Sequence, residues 1–108
     1  LIEIELIRGR VYVADLESGE PKPWVVVSNN NRNRALGSAL AVRVTTTNKF
    51  AELPSVVALP DGECVSGWVR CDSLTTLYAD EPTRALLGLS RPAMSLIEDG
   101  IKAALGMG

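Results

Sequence analysis

Leu40-Ala-Val-Arg-Val-Thr-Thr-Thr47 alternates apolar with polar or small residues and is rich in β-branched types, the pattern of a half-buried strand. Side chains along a strand point alternately to opposite faces. Within Ala41 to Thr45, Val42 and Val44 therefore share one face, and Arg43 and Thr45 share the other. With the valines toward a core, Arg43 and Thr45 look into a groove. The plainer reading is that Thr45 to Thr47 end a strand in a residue type that suits strands.

Upstream, Arg10-Val-Tyr-Val-Ala-Asp-Leu16 reads as another strand, running into the turn-rich loop Glu17-Ser-Gly-Glu-Pro-Lys-Pro23. Trp24-Val-Val-Val-Ser28 is a continuous apolar run, expected in a strand covered on both faces. Asn29 to Arg34 is too polar for a core and reads as an Asn-rich turn. Downstream, Ser55 to Leu59 forms a fourth strand closed by the turn Pro60-Asp-Gly62. Gly67 to Asp72 forms a fifth, ahead of a separate β-rich patch at Leu74 to Tyr78.

Two helices are expected near the end. Asp80 or its neighbour caps a short one through Leu87, with Pro82 in its first turn and Gly88 ending it. Ser90 caps the second, with Pro92 just inside. Met94, Ile97, Ile101, Ala104 and Leu105 recur along it at three- and four-residue spacing, and Gly106 stops it. Strands followed by helices predict a barrel-like β+α domain, and 108 residues suffice for one core and not two. Residues 1–108 are therefore read as a single domain.

Composition narrows function. No stretch approaches the roughly 20 apolar residues of a membrane span, and Glu3 and Glu5 stand where a secretory signal carries basic charge, so a cytoplasmic chain away from membranes is expected. Cys64 and Cys71 fit no common zinc or redox spacing, and two half-buried thiols are expected. The net charge of −2 argues against a broad basic nucleic-acid surface. Residues 1 to 50 nonetheless carry a net +2 and residues 51 to 108 a net −4, which leaves room for a local anion site in the first half.

The chain contains no histidine, which removes Ser-His-Asp, Cys-His and His-based ribonuclease chemistry together. The scattered acids Glu17, Glu20, Asp61, Glu63, Glu98 and Asp99 read as solvated charge rather than a metal cluster, and no cofactor is expected. RNA, by contrast, carries its own nucleophile in the 2′-hydroxyl. A site that cuts it needs orientation, a cation on the phosphoryl oxygens and proton transfer. Lys22, between Pro21 and Pro23, has its backbone direction restricted on both sides, though a solvated loop lysine is the default reading. The amides and guanidiniums of Asn29 to Arg34 suit base edges and phosphates as well as they suit a polar turn.

Four stretches in order, Arg8-Gly-Arg-Val-Tyr-Val-Ala-Asp-Leu16, Lys22-Pro-Trp-Val-Val-Val-Ser-Asn-Asn30 with Asn33, Val42-Arg-Val-Thr-Thr46 and Val69-Arg-Cys-Asp72, resemble the landmarks of the MazF/PemK/Kid toxins. Leu87-Gly-Leu-Ser90 and a final helix ending at Leu105-Gly106 are similar to that family's closing pattern. The resemblance covers nearly the whole chain. It implies an SH3-like β-barrel with small helices, assembled as a homodimer. It further implies metal-independent cleavage of single-stranded RNA at short motifs, leaving a 2′,3′-cyclic phosphate, and a MazE-like antitoxin whose C-terminal segment fills the RNA groove.

By that resemblance Thr45 falls on the catalytic threonine, and Lys22 stands where the family usually has an arginine. Arginine grips phosphate bidentately, whereas lysine is a point charge on a flexible stem that gives up a proton more readily, so Lys22 is read as electrostatic stabiliser and general acid. RNA contacts are expected at Asn30, Arg32, Asn33, Arg43, Thr46 and Ser73, the last replacing the usual glutamine after Asp72. The loop before Lys22 is shorter than is common in the family, and Arg8 and Gly9 are read as structural. The alternatives are a CcdB-like toxin that binds DNA gyrase without catalysis, and a silent family member that only binds RNA or antitoxin. Trp24 and Trp68 are expected in core or interface rather than as base-stacking platforms.

Overall fold

The computed structural model describes residues 4–107, and Glu3 lies outside them. Six strands and two helices follow in the order β1 (Arg10–Ala14), β2 (Lys22–Val26), α1 (Asn30–Leu36), β3 (Ser38–Thr45), β4 (Val56–Ala58), β5 (Trp68–Tyr78), β6 (Arg84–Gly88) and α2 (Arg91–Leu105). The strands form one antiparallel sheet in the order β4-β5-β3-β2-β1-β6. No helix among the described residues is long and apolar enough to cross a membrane.

Both faces of the sheet are covered, which is why its central strands lack clean alternation. Tyr12, Ala14, Trp24, Val26, Ala39, Ala41 and Leu77 pack on one face with Leu6 of the leading segment. Val11, Val25, Val42, Val44, Val69 and Cys71 pack on the other with Ile97 of α2. Trp24, Val25 and Val26 are thus all fully buried in consecutive positions, as the apolar run predicts. Trp24 is core, its indole N–H donating to the Ala14 carbonyl, while Trp68 is half-buried.

The antiparallel strands and appended helices are those expected of a small SH3-like barrel, but the sheet is not closed. β4 has three residues and pairs with β5 alone, β6 pairs with β1 alone, and no pairing joins these two edges among the described residues. Two strands expected at 67–72 and 74–78 are one, β5, broken by a bulge. Its register against β3 steps between Arg43↔Arg70 and Ala41↔Thr75, so Cys71 to Leu74 lie opposite Val42. The step exchanges faces: Cys71 joins the Val42 cluster, whereas Leu77 joins the Trp24 cluster.

Two further expectations are corrected. The helix expected from Asp80 to Leu87 is instead a turn followed by strand β6. Pro82 sits beyond a turn in which Glu81 N–H donates to the Tyr78 carbonyl, and Thr83 and Leu89 N–H groups donate to Val13 and Gly9, so β1's free edge captures the short apolar run. The polar stretch at 29–34 lies mostly in α1. The Asn29 side chain caps the helix by accepting from Arg32 N–H at 2.8 Å, and Gly37 closes it at φ 65°.

α2 behaves as expected at its ends, with Ser90 accepting from Ala93 N–H and Gly106 left-handed. Its buried face is Ala93, Ile97 and Gly100, flanked by Met94 and Ile101, while Ala104 and Leu105 are exposed. Gly100 belongs to that face because a Cβ there would meet Cys71 Sγ at 2.6 Å and Val57 Cγ2 at 2.8 Å. The two thiols differ, against expectation: Cys64 is exposed and Cys71 buried. Burial, reinforced by the Asp72 charge, pushes the Cys71 thiol up to about 12.

Candidate active site

Lys22 opens β2 and Thr45 closes β3. The pairing Trp24↔Arg43, Val25↔Val42, Val26↔Ala41, continued by two residues, sets Lys22 opposite Thr45 on the same face of the sheet. Both line one cleft of about 270 Å³, with Pro23, Arg43, Val44, Thr46, Thr47 and Ser66.

The threonine run turns back on itself at the strand end. Thr47 N–H donates to Thr45 Oγ1 at 3.2 Å, and the Thr45 and Thr47 hydroxyls lie 3.2 Å apart. One lone pair of Thr45 Oγ1 is thereby occupied. When Thr47 donates the hydroxyl–hydroxyl bond, the Thr45 proton is free to point into the cleft.

The cations are held by the loop between β1 and β2. Lys22 Nζ lies 3.3 Å from Glu20 Oε2, and Arg43 Nη1 donates to Glu17 Oε1 at 2.8 Å. Arg43 Nε is buried without a hydrogen-bond partner. Partly exposed pairs of this kind contribute about 0–1 kcal/mol, so neither cation is held tightly by its carboxylate.

The other expected RNA contacts divide. Arg43 and Thr46 line the cleft. Ser73 fills the β5 bulge, its hydroxyl donating to the Arg70 carbonyl at 2.9 Å and accepting from Arg43 N–H at 3.4 Å. Asn30, Arg32 and Asn33 sit on α1, apart from the residues lining the cleft. Asn30 Oδ1 accepts from Arg8 N–H, and Arg32 Nη1 donates to the Ser38 carbonyl. Asn33 is 3% exposed; its amide donates to the Leu6 and Ser28 carbonyls and accepts from Ser28 Oγ, so its polar groups are spent inside the fold. Arg8, read as structural, donates to the Val27 carbonyl and pairs with Glu98 of α2.

Three residues at or beside the cleft are not among the expected site residues. Thr47 and Ser66 line it directly. Arg70 stands opposite Arg43 in the sheet, placing two like charges in register. The strand pairing reveals Arg70, and the shape of the cleft reveals Ser66. Thr47 was visible as the third threonine of the run. Among the described residues, no group of three or more His, Cys, Asp or Glu side chains is placed to hold a metal ion.

A family model described as a PemK-like, MazF-like toxin of type II toxin–antitoxin systems matches residues 7–105. The chain belongs to this family. Endoribonuclease MazF4 of Mycobacterium tuberculosis is 39% identical to this MazF-like chain over 101 residues, spanning 94% of it and 93% of the relative. An endoribonuclease solved in complex with its cognate antitoxin, from a Mycobacterial species, superposes with a TM-score of 0.86 at 38% identity, covering 94% and 96% of the two chains. MazF of Deinococcus radiodurans superposes at 0.74 with 27% identity, covering 94% and 96%. The toxin family and endoribonuclease class implied by the sequence resemblance are those of these relatives.

Proposed function

We propose that residues 1–108 of this MazF-like toxin fold as one domain and form an endoribonuclease that cuts single-stranded RNA by attack of the 2′-hydroxyl on the adjacent phosphorus, leaving a 2′,3′-cyclic phosphate and a 5′-hydroxyl. The supporting observation is the placement of Lys22 and Thr45 at facing strand ends in one cleft. As the 2′-oxygen bonds to phosphorus and the bond from phosphorus to the 5′-oxygen breaks, the 2′-hydroxyl proton passes to solvent water; Lys22 Nζ stabilises charge developing on the phosphoryl oxygens, delivers a proton to the leaving 5′-oxygen and is reprotonated from solvent. The Thr45 hydroxyl donates to a non-bridging oxygen and fixes the phosphate, with Arg43 holding the neighbouring backbone. No step draws on a metal.

The substrate and partners follow from the same reading. RNA strands in the cytoplasm enter the cleft by displacing Glu17 and Glu20. The C-terminal segment of a MazE-like antitoxin silences the toxin by filling the same groove. β6 is a sheet edge that pairs with β1 alone and leaves Leu87 72% exposed, which suits a second copy of the chain in a homodimer, and each chain's sheet is read as an open form of the SH3-like barrel.

Purified protein incubated with a long single-stranded RNA and EDTA tests the assignment. Discrete fragments with 5′-hydroxyl ends are expected. Thr45→Ala or Lys22→Ala should lower the rate by about a hundredfold or more, as removal of an oxyanion stabiliser does, while Lys22→Arg retains cutting. Intact RNA with inhibited gyrase, or intact RNA that is merely bound, would overturn the enzyme reading. An inactive Lys22→Arg protein would assign the amine an indispensable proton transfer.

A further inference from the structure

Just beyond the cleft the chain breaks a rule of turn chemistry. Ala51 N–H donates to the Asn48 carbonyl at 3.0 Å, closing a β-turn whose third residue is Phe50. Phe50 has φ 62°, and it is the single non-glycine residue with positive φ among those described. That position in a turn normally takes glycine or asparagine, because a Cβ there is strained. Phe50 is also 54% exposed, so the strain is not offset by burying the ring. Strain held without a packing return is characteristic of functional positions.

The surroundings say what such a ring is for. Lys49 Nζ lies over the Phe50 ring, 5.3 Å from its centroid, so a cation caps one face of a ring that is 54% exposed. Thr47, which lines the cleft, is three residues away, so the turn begins within about 10 Å of the site along the chain. Tyr78, as exposed as Phe50, lies opposite Ser38 at the far end of β3 from Thr45. Trp24 and Tyr12 are fully buried. Trp68 pairs with Thr45 but is half-buried, so Phe50 is the more exposed aromatic on the chain leaving Thr45, three residues beyond the cleft-lining Thr47.

We infer that Phe50 is a base-stacking residue that holds an unpaired nucleobase next to the scissile phosphate, with Lys49 on the adjoining backbone phosphate. The inference rests on the endoribonuclease reading and deepens it by adding a substrate-positioning contact. A ring face accepts any base, so Phe50 supplies affinity and fixes the position of the flanking nucleotide rather than reading its edge.

The test uses the full chain, a cleavable RNA, and a non-cleavable copy carrying 2′-deoxyribose at the scissile position and 2-aminopurine beside it. Wild type should quench the 2-aminopurine fluorescence on binding. Phe50→Gly, which relieves the strain, should hold or raise Tm, abolish the quench and raise KM roughly tenfold with kcat little changed. Phe50→Trp should restore both quench and KM. An unchanged KM and quench in Phe50→Gly would overturn the inference. So would a fall in Tm accompanying the loss, which would make the ring loop packing, or a loss confined to antitoxin binding. Failure of wild type to cut RNA while the quench persists would count against the catalytic reading alone.

Discussion

Gly67 crosses the end of β3 so closely that a Cβ on it would lie 2.2 Å from the Thr45 carbonyl oxygen. Its φ of 120° is also outside the range of ordinary L-residues. Trp68, the next residue, pairs with Thr45 in the sheet, so Gly67 sets where the Thr45 backbone lies.

Gly67→Ala must therefore push the Thr45 strand end away or open the β5 start. Cleavage should fall at least tenfold, with Tm lowered by several degrees, since a clash with backbone cannot be relieved by a rotamer change. Kinetics and thermal melts of the same preparation check this. Wild-type kcat in Gly67→Ala would show that the strand end moves without disturbing the site.

Glu17 and Glu20 pair with Arg43 and Lys22, so under the proposed function their carboxylates compete with RNA for those cations. Glu17→Gln and Glu20→Gln should each lower KM by about two- to fivefold at low ionic strength, the scale of an exposed ion pair. The gain should shrink as salt screens the site. KM titrations at two salt concentrations read this out. A rise in KM would mean that the carboxylates aim the cations rather than mask them.

Glu63 ties the chain before β5 to the start of α2. It accepts from both the side chain and the backbone N–H of Ser90, the α2 cap, and these bonds hold its carboxyl below the usual 4.5. A depressed carboxyl contributes stability above the unfolded value that is lost as pH falls through the folded one. Glu63→Gln should thus melt lower than wild type at pH 7, with the gap closing below about pH 4. Melts at pH 7, 5 and 3 suffice, and a gap that persists at pH 3 would assign the effect to geometry rather than charge.

Much of this arrangement was legible in the residues themselves. The split of Val42 and Val44 from Arg43 and Thr45 follows from strand geometry and carries both the core and the cleft. Ser90 and Gly106 announce α2 because capping is local chemistry. What was hidden depended on partners distant in sequence. β6 is a strand because β1 offers it an edge, and nothing within Arg84 to Gly88 says so. The β5 bulge is invisible until Ser73 is seen serving Arg43 and Arg70. α1 shows no apolar stripe, since the side chain it buries is an amide. The nearness of Lys22 to Thr45 required the β2–β3 register, which the resemblance supplied before the geometry did.

That buried amide makes position 33 one with no near substitute. Asn33 ties α1 to the leading segment at Leu6 and to Ser28, two residues past the end of β2, through a single planar group. Aspartate would lose both donated bonds and bury a charge, glutamine would need room for another methylene, and serine would be too short to span the gap. Each orphaned carbonyl costs about 1–3 kcal/mol. Three parts of the molecule thus share one joint, and variation at that joint amounts to dismantling it.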